Sequence, residues 1–135
     1  MDEADLEKIS EIVRRNFPQF QALWLFGSFA EGAQDFQSDV DLALLLPPGE
    51  VANLFSKVRE ELSEALGRDV DLIDLRASAT VFQNEIVSHG RTLLVNDPRA
   101  VEEFEMLSLS LWQKLNQERA GILEDIAQSG RILHG

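Results

Sequence analysis

The sequence predicts an α/β or α+β fold, a small mixed sheet flanked by helices and followed by a long C-terminal helix. Two patterns carry that reading. Amphipathic stretches at residues 3–16, 50–66 and 79–89 alternate with short apolar runs of strand length at 22–27, 39–46, 69–75 and 91–95. The segment from Pro98 then runs to about Gln128 with no glycine or proline before Gly121. A chain of 135 residues, 44% of them hydrophobic, is long enough for one domain with a real core.

Residues 3–16 place Leu6, Ile9, Ile12 and Val13 on one side at helical spacing, with Asp and Glu near the start and Pro18 as the stop. Leu23-Trp24-Leu25-Phe26 reads as a strand that ends at Gly27. Residues 39–46 read as a second strand, closed by Pro47-Pro48-Gly49. Residues 50–66 carry the cleanest amphipathic pattern, with Val51, Leu54, Phe55, Val58, Leu62 and Leu66 inward and Gly67 just past the helix end. A third strand (69–75), a helix (79–89) with Val81, Phe82 and Ile86 apolar, and a short strand (91–95) follow.

The C-terminal segment reads as one helix or as two joined near Gly121. Phe104, Leu107, Leu111, Leu115, Ile122 and Ile126 form one apolar stripe, and Leu109, Trp112 and Leu123 lie off it. A helix of about 30 residues would run roughly 45 Å, longer than a core of this size covers. Part of the stripe is therefore expected to meet another protein, unless the helix folds back at Gly121 onto its own core. The expected layout is a core over residues 1–97 and a helical segment over 98–135 that packs on the core, a partner or both, within one domain.

Composition excludes several chemistries. There are no cysteines, hence no disulfide, thiolate catalysis or sulfur-built zinc site, and two histidines are too few for a histidine cluster. No apolar run is long enough to span a bilayer and the N-terminus lacks a signal-peptide pattern, so a cytoplasmic protein with no membrane partner is expected. A net charge of -12 opposes nonspecific attraction to nucleic acid and would suit a basic partner.

The most informative spacing is Gly27-Ser28, ten residues, then Asp39-Val40-Asp41. Residues i and i+2 of a strand share a face, so Asp39 and Asp41 point the same way and repel unless a cation lies between them. Mg2+ is usually held by one or two carboxylates plus substrate phosphates. A turn at Gly27, with the Ser28 hydroxyl and a short helix after it, can present donors to phosphate oxygens. The Asp pair and the Gly-Ser turn thus read as two halves of a metal-nucleotide site. A further carboxylate comes from the third strand. If Val70 and Leu72 face the helices as Val40 and Leu42 do, Asp71 joins the Asp39-Asp41 side, and Asp74 joins it only if a bulge intervenes. Asp69 and Asp35 read as surface residues, and His89 as a cation at a helix C-terminus.

The run Leu-Phe-Gly-Ser-Phe-Ala-Glu-Gly, Ala33 to Gln37, then Ser-Asp-Val-Asp-Leu resembles the signature of the DNA polymerase beta-like nucleotidyltransferases, most of all the minimal nucleotidyltransferases (MNT proteins). The resemblance covers residues 1 to about 97. Phe29 and Glu31 depart from the basic residues that many relatives carry in this loop. The resemblance implies in-line nucleotidyl transfer from ATP. Asp39, Asp41 and Asp71 would hold two Mg2+ ions, with Asp71 also able to accept the hydroxyl proton, while Gly27 and Ser28 bind phosphates and Ser38 braces the loop. It further implies an antitoxin that transfers AMP to a tyrosine of a HEPN-domain ribonuclease toxin. This chain has no tyrosine of its own, so such an acceptor lies in another molecule. The alternatives are a small-molecule nucleotidyltransferase of the aminoglycoside-modifying kind and an antitoxin that binds without catalysis.

Overall fold

The computed structural model describes residues 2–27, 39–49 and 54–129, with side chains to residue 119. Its elements are α1 (Glu3–Asn16), β1 (Ala22–Phe26), β2 (Val40–Leu45), α2 (Phe55–Leu66), β3 (Val70–Asp74), α3 (Thr80–His89), β4 (Arg91–Val95) and α4 (Pro98–Ser129). Each helix and strand predicted within these residues is present, with boundaries within two residues. Ser28, Ser38, Asp35, the short helix expected after Ser28 and the 50–53 start of the second helix, Val51 included, lie outside the described residues.

Local chemistry explains where the helices begin and end. Asp2 caps α1 by accepting a 2.9 Å hydrogen bond from the Asp5 N–H. Helix α2 ends at Gly67, whose φ of 67° is the left-handed conformation that closes a helix at low cost and lets its N–H bond the Ser63 carbonyl. His89 forms the last turn of α3, where a cation is favoured.

The four strands form one mixed sheet in the order β3-β2-β1-β4. β1 runs antiparallel to both β2 and β4, while β2 and β3 are parallel and joined through α2. Alternation along the strands divides the core in two. Leu23, Leu25, Val40, Leu42, Leu44, Val70 and Leu72 pack with Ile9, Val13, Val58 and Leu62 of α1 and α2. Ala22, Trp24, Ala43, Leu45 and Leu75 pack on the other face with Ile86 of α3 and Val101 and Phe104 of α4. Helices thus cover both faces. Arg76 ties the second layer down: its Nε donates to the Leu46 carbonyl (2.8 Å), its Nη2 to Gln21 Oε1 (2.7 Å), and its guanidinium lies 5.4 Å from the Phe104 ring centre.

Part of the expected stripe on the last helix faces the core, with Phe104 buried and Leu115 half-buried. α4 passes Gly121 without a break, and its buried positions are Val101, Phe104 and Ser108. Leu107 and Leu111, assigned to the stripe, are exposed, as are Met106 and Leu109. Trp112, assigned off the stripe, is half-buried in line with Phe104 and Ser108. The reason is rotational: α4 packs against α3 from its first turn through Val101, and that contact sets which face turns inward for the turns that follow.

The division between packed and exposed leucines is measurable. Leu42→Ala, at a fully buried position of β2, should lower the unfolding free energy by about 2–5 kcal/mol in urea titration. Leu107→Ser, at 56% exposure, should change it by about 0.5 kcal/mol or less.

Candidate active site

The parallel pairing of β2 with β3 sets Val40 opposite Val70, Asp41 opposite Asp71 and Leu42 opposite Leu72. Since the valines and leucines point into the α1–α2 core, Asp41 and Asp71 emerge together on the other face. Asp39, one residue before β2, joins them. No bulge interrupts this pairing, and Asp74 stands opposite Leu44, three residues farther along β3 and on the opposite face from Asp71. That is about 10 Å along the strand. Asp74 belongs to the Arg76 end of the sheet, not to the Asp39–Asp41 end.

Gly27 closes the site from β1. Phe26 pairs with Asp41 across the antiparallel ladder, so the next residue turns directly above that carboxylate. Gly27 has φ 74°, and a Cβ placed on it would collide with Asp41 Oδ2. Only glycine satisfies both the conformation and the space.

Asp41 feels the crowding. Its pKa is raised, first by burial and then by the charges of Asp71 and Asp39. An open cleft of about 510 Å³ extends from these carboxylates to α2. Arg59 reaches Asp71 at 3.8 Å, an exposed and therefore weak ion pair. Glu60 and Glu64 lie beside it on the same helix flank, and Asp69, exposed as expected, also borders the cleft. Ser63 anchors the wall by accepting a 3.1 Å hydrogen bond from the Val70 N–H.

Sequence reasoning treated α2 as a packing helix and missed this flank. Its signal was present in the spacing of Arg59, Glu60, Ser63 and Glu64, which sit at i, i+1, i+4 and i+5 and so share one side of a helix. On its own such a pattern reads as a solvated face. Only the β3 edge beside it makes it a wall.

The donor set is hard oxygen, the chemistry that Mg2+ takes. Among the described residues no three acidic or histidine side chains already converge as ligands. The carboxylate of Asp71 is instead engaged with Arg59. Even so, the site fits a cation: burial and then the like charges on one face raise the Asp41 pKa, and a bound divalent ion would oppose that rise.

A glycine turn over paired strand carboxylates, on a mixed sheet with helices on both faces, defines a nucleotidyltransferase core. The family described as polymerase beta, nucleotidyltransferase matches residues 7–99, and the chain belongs to that family. It is 33% identical over 126 residues to the protein adenylyltransferase MntA of Shewanella oneidensis strain MR-1, spanning 93% of this chain and 90% of that protein. Among solved structures it is similar to a chain of a toxin-antitoxin crystallised with AMP-PNP, with a TM-score of 0.76 and 34% identity over 90% of this chain and 98% of the other. It is also similar to a chain in the complex of the tri-AMPylated Shewanella oneidensis HEPN toxin with its MNT antitoxin, with a TM-score of 0.73 and 31% identity over 94% and 99% of the two chains.

The raised Asp41 pKa makes a signed prediction. The folded chain binds this proton more tightly than the unfolded chain, so the group's contribution to stability is complete below the ordinary value of 3.8 and is lost as pH rises through the raised one. Without divalent cation, Asp41→Asn should therefore be more stable than the parent at pH 7, by about 1 kcal/mol or less after solvent screening. The gain should vanish below the ordinary carboxylate range in thermal melts across pH.

Proposed function

We propose that this chain is an antitoxin that transfers AMP from ATP to a tyrosine of a HEPN ribonuclease toxin. The observation that carries this reading is the register of Asp41 against Asp71 beneath Gly27, in a chain related over nearly its whole length to a protein adenylyltransferase. A relative crystallised with AMP-PNP supports ATP as the donor, and a relative complexed with an AMPylated HEPN toxin supports the acceptor class.

Asp39, Asp41 and Asp71 would hold two Mg2+ ions, which when bound would offset the triphosphate charge and lower the pKa of the attacking hydroxyl. Gly27 and Ser28 bind the outer phosphates, and Ser38 braces their loop. Asp71, at the open cleft, accepts the proton of the tyrosine hydroxyl. The tyrosine oxygen bonds to the α-phosphorus as the bond from that phosphorus to the bridging oxygen breaks, and pyrophosphate leaves. The chain has no tyrosine, so the acceptor is in the partner. Exposed Met106, Leu107, Leu109 and Leu111 on α4 offer that partner an apolar surface. The added phosphodiester and adenine then obstruct the toxin's RNA cleft by charge and bulk.

Two measurements test this reading. Intact mass of the HEPN partner after incubation with this protein, ATP and Mg2+ should rise by one or more AMP units, and by none with Asp39→Ala, Asp41→Ala. A stable complex with no mass gain would favour an antitoxin acting by occlusion, and transfer to an aminoglycoside instead would favour the small-molecule reading. Asp71→Asn should lower kcat by about 10²–10⁴-fold with a smaller change in KM for ATP. Separately, Mg2+ at about a hundred times its Kd should stabilise the parent by about 2.7 kcal/mol in thermal melts and leave Asp39→Asn, Asp41→Asn unchanged.

A further inference from the structure

A second, smaller cleft adjoins the site from the other side. It measures about 210 Å³ and lies between the end of β1 and α3, with Gly27 on its border. Phe26 and Phe82 form one wall, their rings edge to face with centres 5.5 Å apart and planes at 86°. Buried Ile86 and the side-chain-free Gly90 line the rest. Glu85 and His89, one helical turn apart on α3 with His89 Nε2 4.0 Å from Glu85 Oε2, stand at the rim.

We propose that this cleft receives the base of the donor nucleotide. The inference rests on the nucleotidyl-transfer reading and adds where the nucleoside lies. Three observations carry it. Phe26 is the ladder partner of Asp41, so the cleft begins one strand away from the carboxylates, and a triphosphate passing over Gly27 links the two. The lining is aromatic and aliphatic with polar groups confined to the rim, the combination on which a planar heterocycle stacks while its edge and the ribose hydroxyls find hydrogen-bond partners.

The third observation is charge. The larger cleft on the α2 side is bordered by Asp39, Asp41, Glu60, Glu64, Asp69 and Asp71 against the single cation Arg59 among its described lining residues. An anionic nucleotide is repelled there beyond the reach of the metal ligands, whereas a protein acceptor with a basic segment is attracted. The two clefts therefore divide the substrates: donor base toward α3, acceptor toward α2. The smaller one has room for a nucleobase but not for a whole nucleoside triphosphate, which leaves the phosphates over Gly27 and the Asp pair.

The test uses the full chain with Mg2+. Photolabelling with 8-azido-ATP followed by peptide mapping should place the label within residues 82–90. Phe82→Leu, which keeps an apolar side chain in the core but removes the ring, should weaken ATP binding by about tenfold while leaving tripolyphosphate binding unchanged, and Phe82→Tyr should restore ATP affinity. Label on the α2 residues 59–64, or equal losses of ATP and tripolyphosphate binding in Phe82→Leu, would overturn the base site and leave the transferase reading standing. Failure of the parent chain to bind either ATP or tripolyphosphate would overturn both. If Phe82→Leu loses its fold by circular dichroism, the position of the photolabel on the parent chain decides alone.

Discussion

The parallel register that sets Val40 against Val70 does two jobs with one set of hydrogen bonds. Burial of Val40, Leu42, Leu44, Val70 and Leu72 against α1 and α2 holds the pair in place, since a slip of β3 by one residue would turn Val70 and Leu72 to the opposite face. The alternate residues have no freedom left. Asp41 and Asp71 are carried to the same face and level because their neighbours are hydrophobic, and Asp39 and Gly27 complete the cluster from adjoining turns.

That arrangement stores an electrostatic cost. Burial, and after it the charges of Asp71 and Asp39, raise the Asp41 pKa and oppose folding in the absence of a cation. The core offsets it easily: each buried leucine contributes about 1.5–3 kcal/mol, more than partly exposed like charges remove. Arg59 partly balances Asp71 from α2, through a contact that solvent weakens and a ligand can displace. A site that is strained when empty and relieved by a cation is one whose binding energy is ready for use.

Helix α3 and the first turns of α4 form the opposite layer and give the site its second side. Trp24, Ile86, Val101 and Phe104 hold them to the sheet, while Arg76 joins the ends of β1, β2 and β3 to α4. On the other side of that helix Met106, Leu107, Leu109 and Leu111 remain accessible. The sheet thus presents an acidic cleft toward α2 and an apolar one toward α3, with Gly27 between them.

Much of this was legible in the residues alone. Strand and helix periodicity identified each element, because a two-residue or a 3.6-residue repeat of apolar side chains is a local property of the chain. The spacing of Gly27 from Asp39 and Asp41 pointed to the carboxylate end of the sheet, and parity along two strands favoured Asp71 over Asp74. Parity could state that choice only as a condition. Whether Val70 faces the same layer as Val40 depends on which strands pair and in what register, a contact between segments thirty positions apart. Which part of the α4 stripe turns inward was open for the same reason: Leu107 and Leu111 satisfy a helical repeat as well as Val101 and Ser108 do, and packing against α3 chose between them. In one dimension the α2 wall showed only as a solvated helix face and the Phe26–Phe82 cleft not at all, since each is made of residues that acquire a common surface only when a helix is laid against a strand.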